Sequence, residues 1–438
     1  MAVEAAAAPL ATARLEARSR EDHRWAAMAL GASIWLLPVL RPGLGTVRPA
    51  DLAIVGSTAV VVLWLGWSRV PLRMPFAASM TLFGIAGLVA ASVSGHATIG
   101  IVAVVQDLVL LAWCLAIANV CRTPETLAIV VRAWAWSATV AASVVIVGAV
   151  AGLSALSGQE IEGGRASLAF DNPNQAGAYF ACAFFVILSA GAIIPRRRRF
   201  VMTTIVVAAV LFAASNAAIG GILLGLVVVG ILAIARRRGV ASAIAAASIA
   251  ALVVAGAAVA FVRLDVAETA GESDIRLLRN TLGRGSESAG DRVGRWESLG
   301  DAYLQYPVSG YGAAATKAVL DEGPFNDAKG AHNDYAAALA ERGLLGSIAL
   351  ILLIASITTR MGSIAVRPLT RGFAAVLGAP HFLAGALVVL AISSLTHEIL
   401  HFRNVWVLLG LVAAVSLWSR EDVASPAAAR TIGAGGVS

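Results

Sequence analysis

The sequence predicts an all-α polytopic membrane protein with about twelve transmembrane helices and one large extracytoplasmic loop. Of its 438 residues, 59% are hydrophobic and only 13% are charged, and its mean hydropathy is +0.82. Soluble globular domains are considerably more polar than this. The apolar residues also gather in stretches of about 20, which is the length that an α-helix needs to cross a bilayer.

The polar breaks between the apolar stretches set the predicted organisation. We predict a cytoplasmic tail at 1–24, transmembrane helices 1–9 within 25–262, the large loop at 263–332, transmembrane helices 10–12 within 333–418, and a second cytoplasmic tail at 419–438. The individual spans are predicted at 25–41, 50–68, 76–95, 98–120, 126–154, 173–194, 200–215, 217–235, 240–262, 333–359, 372–396 and 404–418.

The arginines of the short loops predict the orientation. They are concentrated in loops such as 196–199 and 236–238, which all fall on one side of a twelve-span arrangement. Basic loops stay in the cytoplasm, so both termini are predicted to be cytoplasmic and the 263–332 loop extracytoplasmic. The net charge of +7 therefore reports orientation and does not indicate a nucleic-acid partner. Three cysteines, all in or beside apolar segments, indicate neither a disulfide framework nor a cysteine-based zinc site.

Two charged residues fall inside predicted spans, Asp107 in the fourth and Arg132 in the fifth. Such residues ordinarily face the interior of a bundle or reach an interface. A mutual ion pair between them is also open at this point. Gly221 and Gly225 form a Gly-x-x-x-Gly pattern in the eighth span, which favours close packing of helices within the chain.

The large loop contains a predicted amphipathic helix near residues 292–305. Apolar or aromatic residues recur there at nearly helical spacing, which is typical of a helix that lies on the membrane or over the bundle. Arg292 and Arg295 are three residues apart and share a face of this helix. A solvated basic face is the ordinary explanation for such a pair.

Arg165 and His332 are candidates for chemistry at the membrane surface. A guanidinium can bind phosphate oxygens with two parallel hydrogen bonds, although a lipid headgroup or a carboxylate is an equally good partner for Arg165. His332 precedes a predicted helix, where a histidine most often makes a cap or a satisfied polar contact. Neutral imidazole is nevertheless a suitable proton acceptor at physiological pH.

Three groups of residues in the chain form motifs with a defined order and spacing. The first is His332-Asn333, nine residues and then Gly343-Leu344-Leu345-Gly346. The second is Arg292-x-x-x-Trp296 with the later stretch Tyr306-Pro307-Val308-Ser309-Gly310-Tyr311-Gly312, and the third is Arg165 with Asn172-Pro173-Asn174. Taken together, these motifs resemble those of the bacterial O-antigen ligase and O-antigen polymerase superfamily of membrane glycosyltransferases, whose signature is a histidine, a small polar residue, nine residues and Gly-x-x-Gly.

The resemblance implies a GT-C-like fold and the transfer of a glycan from undecaprenyl diphosphate to the hydroxyl of a lipid or a growing polysaccharide. It implies an inverting reaction without metal or cofactor at the outer face of the bacterial cytoplasmic membrane, as in lipopolysaccharide biosynthesis. His332 and Arg292 are then the catalytic residues, and Arg165, Arg292 and Arg295 bind the diphosphate. Asn333, Glu341, His397 and Arg403 are possible supporting residues, and the sequence leaves open whether Glu341 pairs with Arg342 or orients a neighbour. The sequence leaves open whether the acceptor makes it a ligase or a polymerase.

Two observations keep other functions open. His397-Glu398-x-x-His401 contains the His-Glu-x-x-His pattern of zinc proteases, in which both histidines bind zinc from one helix face. Twelve spans are also common among transporters and flippases, although those place charged sites near the middle of the bilayer. Within the family pattern itself, this chain has Ser215-Asn216 where many relatives carry Ser-Arg.

Overall fold

A computed structural model of the chain describes residues 24–39, 48–68, 70–158, 165–168, 170, 172–321 and 330–419. It describes the backbone alone at 276, 284–293, 295 and 319–321. Apart from residues 24 and 419, the two predicted cytoplasmic tails lie outside the described residues. Within the described part every regular element is a helix, as the apolar stretches predict.

The helices follow one another with short connections. Up to the large loop they are α1 (24–35), α2 (Pro49–Ser68), α3 (Ala77–Val93), α4 (Ala97–Val120), α5 (Pro124–Val150), α6 (Ser154–Ser157), α7 (Pro173–Ser189), α8 (Arg196–Ala213), α9 (Asn216–Arg238) and α10 (Val240–Arg263). They continue with α11 (Val266–Gly271), α12 (Arg276–Asn280), a 3₁₀ turn (Leu282–Arg284), α13 (Gly285–Gln305), α14 (Thr316–Asp321), α15 (Asp334–Val366), α16 (Arg371–Val376), α17 (Phe382–Ser394) and α18 (Arg403–Trp418).

Six helices in the described residues are long and apolar enough to cross a membrane, namely α2, α4, α5, α9, α10 and α15. Three shorter apolar helices, α3, α17 and α18, accompany them. A helix lies at each of the twelve predicted spans. The eleventh span is not one continuous helix but consists of two, α16 and α17. Pro380 lies in this division, and proline lacks the N–H that a continuous helix needs. Twelve membrane crossings stay a prediction.

The core of the bundle lies around α7 and α18, whereas α10 lies at the periphery. Every side chain of α18 from Asn404 to Val415 is buried, and the large aromatic side chains of Trp406 and Tyr179 are fully enclosed. In α10, by contrast, Ala243 is the one buried residue. A helix that is apolar all round yet exposed suits contact with lipid.

α15 is interrupted at Gly343, and a turn from the large loop fills the interruption. Gly343 has φ +60° and ψ −157°, a conformation that residues with a Cβ rarely adopt. The neighbouring backbone groups bond to the turn: the Tyr311 N–H donates to the Ala340 carbonyl at 2.8 Å, and the Leu344 N–H donates to the Pro307 carbonyl at 2.9 Å. The two glycine-bearing motifs of the sequence therefore form one structural unit.

Candidate functional site

His332 lies directly before α15 in a backbone conformation that is uncommon for a residue with a side chain. Its φ is +52°, in the left-handed region. The next residue, Asn333, is the N-cap of α15, and its Oδ1 accepts hydrogen bonds from the N–H groups of Tyr335 and Ala336 at 2.9 and 3.1 Å. Asparagine suits this position because those N–H groups have no partner within the helix. The cap therefore fixes where α15 begins and where His332 stands.

Two carboxylates join the start of α15 to the segment between α17 and α18. Oε1 of Glu398 accepts the N–H of His332 at 3.2 Å. In the opposite direction, the carboxylate of Asp334 accepts the N–H groups of Ile399 at 3.0 Å and Leu400 at 3.2 Å. We call this reciprocal set of contacts the clasp. Each segment thus supplies a carboxylate that binds the other's backbone.

The chain approaches Glu398 closely at Gly330. A Cβ added at Gly330 would lie 2.3 Å from Oε1 of Glu398, far inside van der Waals contact. Only glycine therefore fits there while Glu398 keeps its position. The absent side chain lets the Glu398 carboxylate reach the backbone N–H of His332.

His397 packs against His332 within the clasp. The two imidazole rings meet edge to face, with centroids 5.6 Å apart and planes at 88°. His397 is buried, and its Nδ1 lies 3.0 Å from the Thr396 hydroxyl. Burial, assisted by the negative charge of Glu341, raises the pKa of Glu398 to about 7. His332 thus lies beside one carboxyl group whose charge depends on pH near neutrality.

The His-Glu-x-x-His segment does not have the geometry of a zinc site. In a zinc protease its histidines lie one turn apart on a helix, but residues 397–401 follow the end of α17 and are not helical. His397 is buried, whereas His401 is exposed. Among the described residues, no group of three or more histidine, cysteine or acidic side chains is arranged to hold a metal ion. The segment serves instead as half of the clasp.

Glu341 and Arg342 support the interruption in α15 and do not pair with each other. The Glu341 carboxylate accepts hydrogen bonds from the N–H of Ala314 at 3.0 Å and from the backbone and hydroxyl of Thr316. Arg342 forms a buried ion pair with Asp107, with Nη2 and Oδ2 2.5 Å apart. The sequence left open a pairing of Glu341 with Arg342 and one of Asp107 with Arg132. The structure has neither, and Arg132 is exposed.

Arg342 is held on a second side by α3. Its guanidinium carbon lies 3.8 Å from the centre of the Phe83 ring, and Nη1 donates to the Phe83 carbonyl at 3.4 Å. A small polar pocket lies beside it, lined by side chains of both the clasp and the interruption. They include Asp107, Asp334, Glu341, Arg342, Glu398 and His401. The two features are therefore neighbours around one pocket.

Arg165 is buried where α7 begins and α8 ends. Its Nε donates to the Ala213 carbonyl at 3.1 Å, and its Nη2 donates to Oδ1 of Asn174 at 2.8 Å. The carbonyls at the end of a helix lack partners within it, so Arg165 supplies a hydrogen-bond donor to the C-terminal end of α8. Asn216, which stands where many relatives have arginine, donates from its side chain to the Thr281 carbonyl at 2.9 Å. It fastens the large loop to the start of α9.

Arg165 and the clasp lie at the same end of the bundle. α7 packs on α17, and the backbone after α7 bonds to the backbone before α17, with the Gly191 N–H donating to the Val376 carbonyl at 2.7 Å. The two helices are therefore antiparallel. The beginning of α7, with Arg165, lies at the end of α17 that leads to Glu398.

Arg403 binds an aspartate of α2. Its Nε and Nη2 both donate to Oδ1 of Asp51, at 2.8 and 2.5 Å. The same carboxylate also accepts the N–H of Arg48 through Oδ2 at 3.0 Å. Arg403 thus joins the start of α18 to the start of α2, which is a structural role within the described contacts.

Residues 201–351 match the model of the O-antigen ligase family. This segment is thus similar to the O-antigen ligase domain, and we call it the matched segment. The match confirms the resemblance to the O-antigen ligase and polymerase superfamily that the sequence motifs indicated. No curated protein matches the chain.

The matched segment contains α13, which packs against the start of α15. Leu299 of α13 is buried with Ala331, Ala337 and Ala340. The predicted amphipathic helix is confirmed and is longer than expected, from Gly285 to Gln305. The side chains of Arg292 and Arg295 lie outside the described part of the structure. Their positions in α13 are two turns and one turn before Leu299, the residue that meets α15.

The family match covers His332 but stops before Glu398 and its neighbours. The clasp therefore joins the matched segment to the residues that follow it. Sequence reasoning identified His332, Asn333 and His397 as candidates, and the structure brings them together. The sequence did not reveal that Asp334 and Glu398 bind the two segments to each other. Both residues were nevertheless visible in the motifs, since Asp334 directly follows Asn333 and Glu398 is the acid of the apparent zinc motif.

Proposed function

We propose that this protein transfers a glycan from undecaprenyl diphosphate to an acceptor hydroxyl at the outer face of the bacterial cytoplasmic membrane. The observation that carries the proposal is His332, held by the clasp in a left-handed conformation at the family's histidine motif. Strained residues that their surroundings hold in place are concentrated at active sites. Both termini are then cytoplasmic, as the arginine distribution predicts.

In the proposed reaction the acceptor oxygen attacks the anomeric carbon of the donor. The bond between that carbon and the diphosphate breaks with inversion, and undecaprenyl diphosphate leaves with the bonding electrons. His332 accepts the proton of the acceptor hydroxyl. Arg165 and Arg292 stabilise the negative charge that develops on the diphosphate, and Arg295 supports them. The reaction as proposed uses no metal or cofactor.

The position of Arg165 supports its part in the proposal. It is buried, its orientation is set by the Ala213 carbonyl and Asn174, and it lies at the clasp end of the bundle. A guanidinium fixed in this way needs little reorganisation when charge develops on a nearby phosphate.

An apolar groove supports a lipid-linked donor. It is lined by side chains of α15, α17 and α18, and its polar end is formed by Asp334 and Tyr335 beside the clasp. From there it runs along α15 to Thr358. A prenyl chain in this groove would have its diphosphate end near His332.

The proposal is tested with purified protein, extracted undecaprenyl-diphosphate glycans and candidate lipid or glycan acceptors, in the presence of EDTA. His332→Ala and Arg292→Ala are compared with two matched controls, His381→Ala before α17 and Arg279→Ala in α12. Loss of a group that stabilises the transition state lowers the rate by about a hundred- to a thousandfold. We expect this loss in the first two variants and wild-type rates in both controls.

The products separate the remaining candidates. Glycan joined to a lipid acceptor identifies a ligase, and glycan elongated on undecaprenyl diphosphate identifies a polymerase. Movement of the donor across the membrane without covalent joining would indicate a flippase instead. Activity that EDTA abolishes, or full activity in both His332→Ala and Arg292→Ala, contradicts the proposed mechanism.

A further inference from the structure

The apparent zinc motif raises the question of what Glu398 does. In the described residues its carboxylate is not part of a metal-binding group, and it lies mostly buried against the start of α15. Its Oε1 accepts the N–H of His332 at 3.2 Å. This bond reaches the one residue of the segment that has a left-handed backbone, with φ +52°.

A left-handed conformation in a residue with a Cβ is unfavourable unless its surroundings hold it. Three contacts do so at His332. Glu398 binds its N–H, Asn333 caps the helix on its following side, and the His397 ring packs edge to face on its own ring. Two of these three contacts come from the 397–398 segment.

The surroundings of Glu398 favour its contact with the His332 N–H. Gly330 has no side chain, and a Cβ there would lie 2.3 Å from Oε1. Asp334 binds the N–H groups of the two residues that follow Glu398, so the backbone on that side is fixed too. The carboxylate is therefore placed by contacts on both chains and meets His332 through its backbone.

We propose that Glu398 is a positioning residue, whose carboxylate holds the backbone of His332 so that its imidazole stands where the acceptor hydroxyl is deprotonated. This role rests on the proposed function. The Glu398 carboxylate itself does not take part in the transfer of the proton. The acid of the His-Glu-x-x-His pattern thus acts through a histidine 66 residues earlier in the chain.

The role makes a prediction that a merely structural contact would not share. An amide oxygen can accept the His332 N–H as a carboxylate does, so Glu398→Gln keeps the contact and Glu398→Ala loses it. A displacement of about 1 Å in a reacting group lowers the rate by about a hundredfold. We expect this loss in kcat for Glu398→Ala, an unchanged KM for the donor, and most of the wild-type rate in Glu398→Gln.

The experiment combines that assay with hydrogen–deuterium exchange of the peptides that cover residues 330–336. Glu268→Gln, an exposed acid of α11, is the matched control, and His332→Ala is measured in parallel. If the clasp holds His332, these peptides exchange faster in Glu398→Ala than in wild type, Glu398→Gln and Glu268→Gln. Exchange needs no activity, so it examines the clasp whatever the reaction is.

The possible results separate the two proposals. Faster exchange with the loss of kcat in Glu398→Ala supports the positioning role. Unchanged exchange overturns the clasp, and faster exchange with an unchanged kcat overturns the positioning role while the proposed function stands. If His332→Ala is fully active, the proposed function fails and the positioning role fails with it. An equal loss of rate in Glu398→Gln and Glu398→Ala also overturns the positioning role. Acceptance of the His332 N–H, which glutamine can provide, would then not be sufficient for the rate.

Discussion

Two groups of polar residues at the start of α15 use hydrogen bonds in different ways. At the interruption, Glu341 binds the Ala314–Thr316 segment and Arg342 binds Asp107, and all three charged side chains are buried. At the clasp, the contacts converge on the backbone of His332, whose side chain is half-buried. The first group holds parts of the fold to one another, and the second holds one side chain in place.

A buried charge among apolar helices is therefore not by itself a sign of chemistry. Arg342 has a guanidinium inside the helix bundle, where charged groups are often functional, yet it is held between Asp107 and Phe83. His332 has a strained backbone, is partly accessible and is held by its neighbours. We therefore expect changes at the interruption to lower stability, and changes at the clasp to lower the rate out of proportion to stability.

The largest expected effect is that of Asp107→Ala at the interruption. It leaves Arg342 buried without its partner, which destabilises a protein by about 3–5 kcal/mol. Thermal unfolding in detergent should show a large decrease in Tm. The double variant Asp107→Ala, Arg342→Met removes both charges and should recover much of it. If the double variant unfolds as early as the single one, the ion pair is not what Asp107 supplies.

Gly343→Ala should have the next largest effect. At φ +60° and ψ −157° an alanine is strained, and its Cβ would lie 2.4 Å from the Val308 carbonyl oxygen. We expect a loss of about 2–3 kcal/mol from strain and crowding together. Gly362→Ala in the same helix has open space around the added Cβ and is the matched control. Equal Tm values for the two variants would mean that the interruption can close without loss.

The interruption also shows what the sequence could not predict. The apolar stretch at 333–359 predicts a helix, and the helix is there, but the pattern does not show that it breaks at Gly343. The break depends on carbonyl and N–H groups that bond to the turn at residues 307–312. Hydrophobic periodicity reports local structure, so a contact that two distant segments create together leaves no trace in it.

The candidate site divides in the same way. His332, Asn333 and Arg165 were accessible to sequence reasoning because their motifs are short and continuous. The partners of Asp107 and Glu341 were not, since Arg342 and Thr316 became neighbours only through folding. The pattern around Glu398 was misleading, because two histidines at this spacing bind zinc only when the segment is a helix. α17 ends before His397, so the two histidines do not share a helix face.

The raised pKa of Glu398 makes the stability of the folded protein depend on pH. Burial raises its pKa from 4.5 to about 7, so between these values the folded protein binds more protons than the unfolded chain. The stability owed to this group is full below about pH 4.5 and is lost as the pH rises through about 7.

Glu398→Gln removes this dependence. We expect wild type to lose on the order of 2 kcal/mol relative to Glu398→Gln between pH 4.5 and 8. Tm values measured across this range check the difference, with Glu268→Gln following wild type. Parallel curves for wild type and Glu398→Gln would show that the Glu398 carboxyl is not buried in the folded protein.

The smallest expected effect on stability is that of Asn333→Ala. This variant tests directly whether residues around His332 affect the rate more than the stability. Loss of an N-cap lowers stability by about 1 kcal/mol, and Thr123→Ala at the start of α5 removes a similar cap far from the clasp. We expect the two variants to have similar Tm values. Since Asn333 fixes the helix beside His332, its loss should also lower kcat, whereas Thr123→Ala should keep the wild-type rate. If both caps affect the rate equally, the loss reflects general stability, and the distinction between the clasp and the rest of the fold disappears.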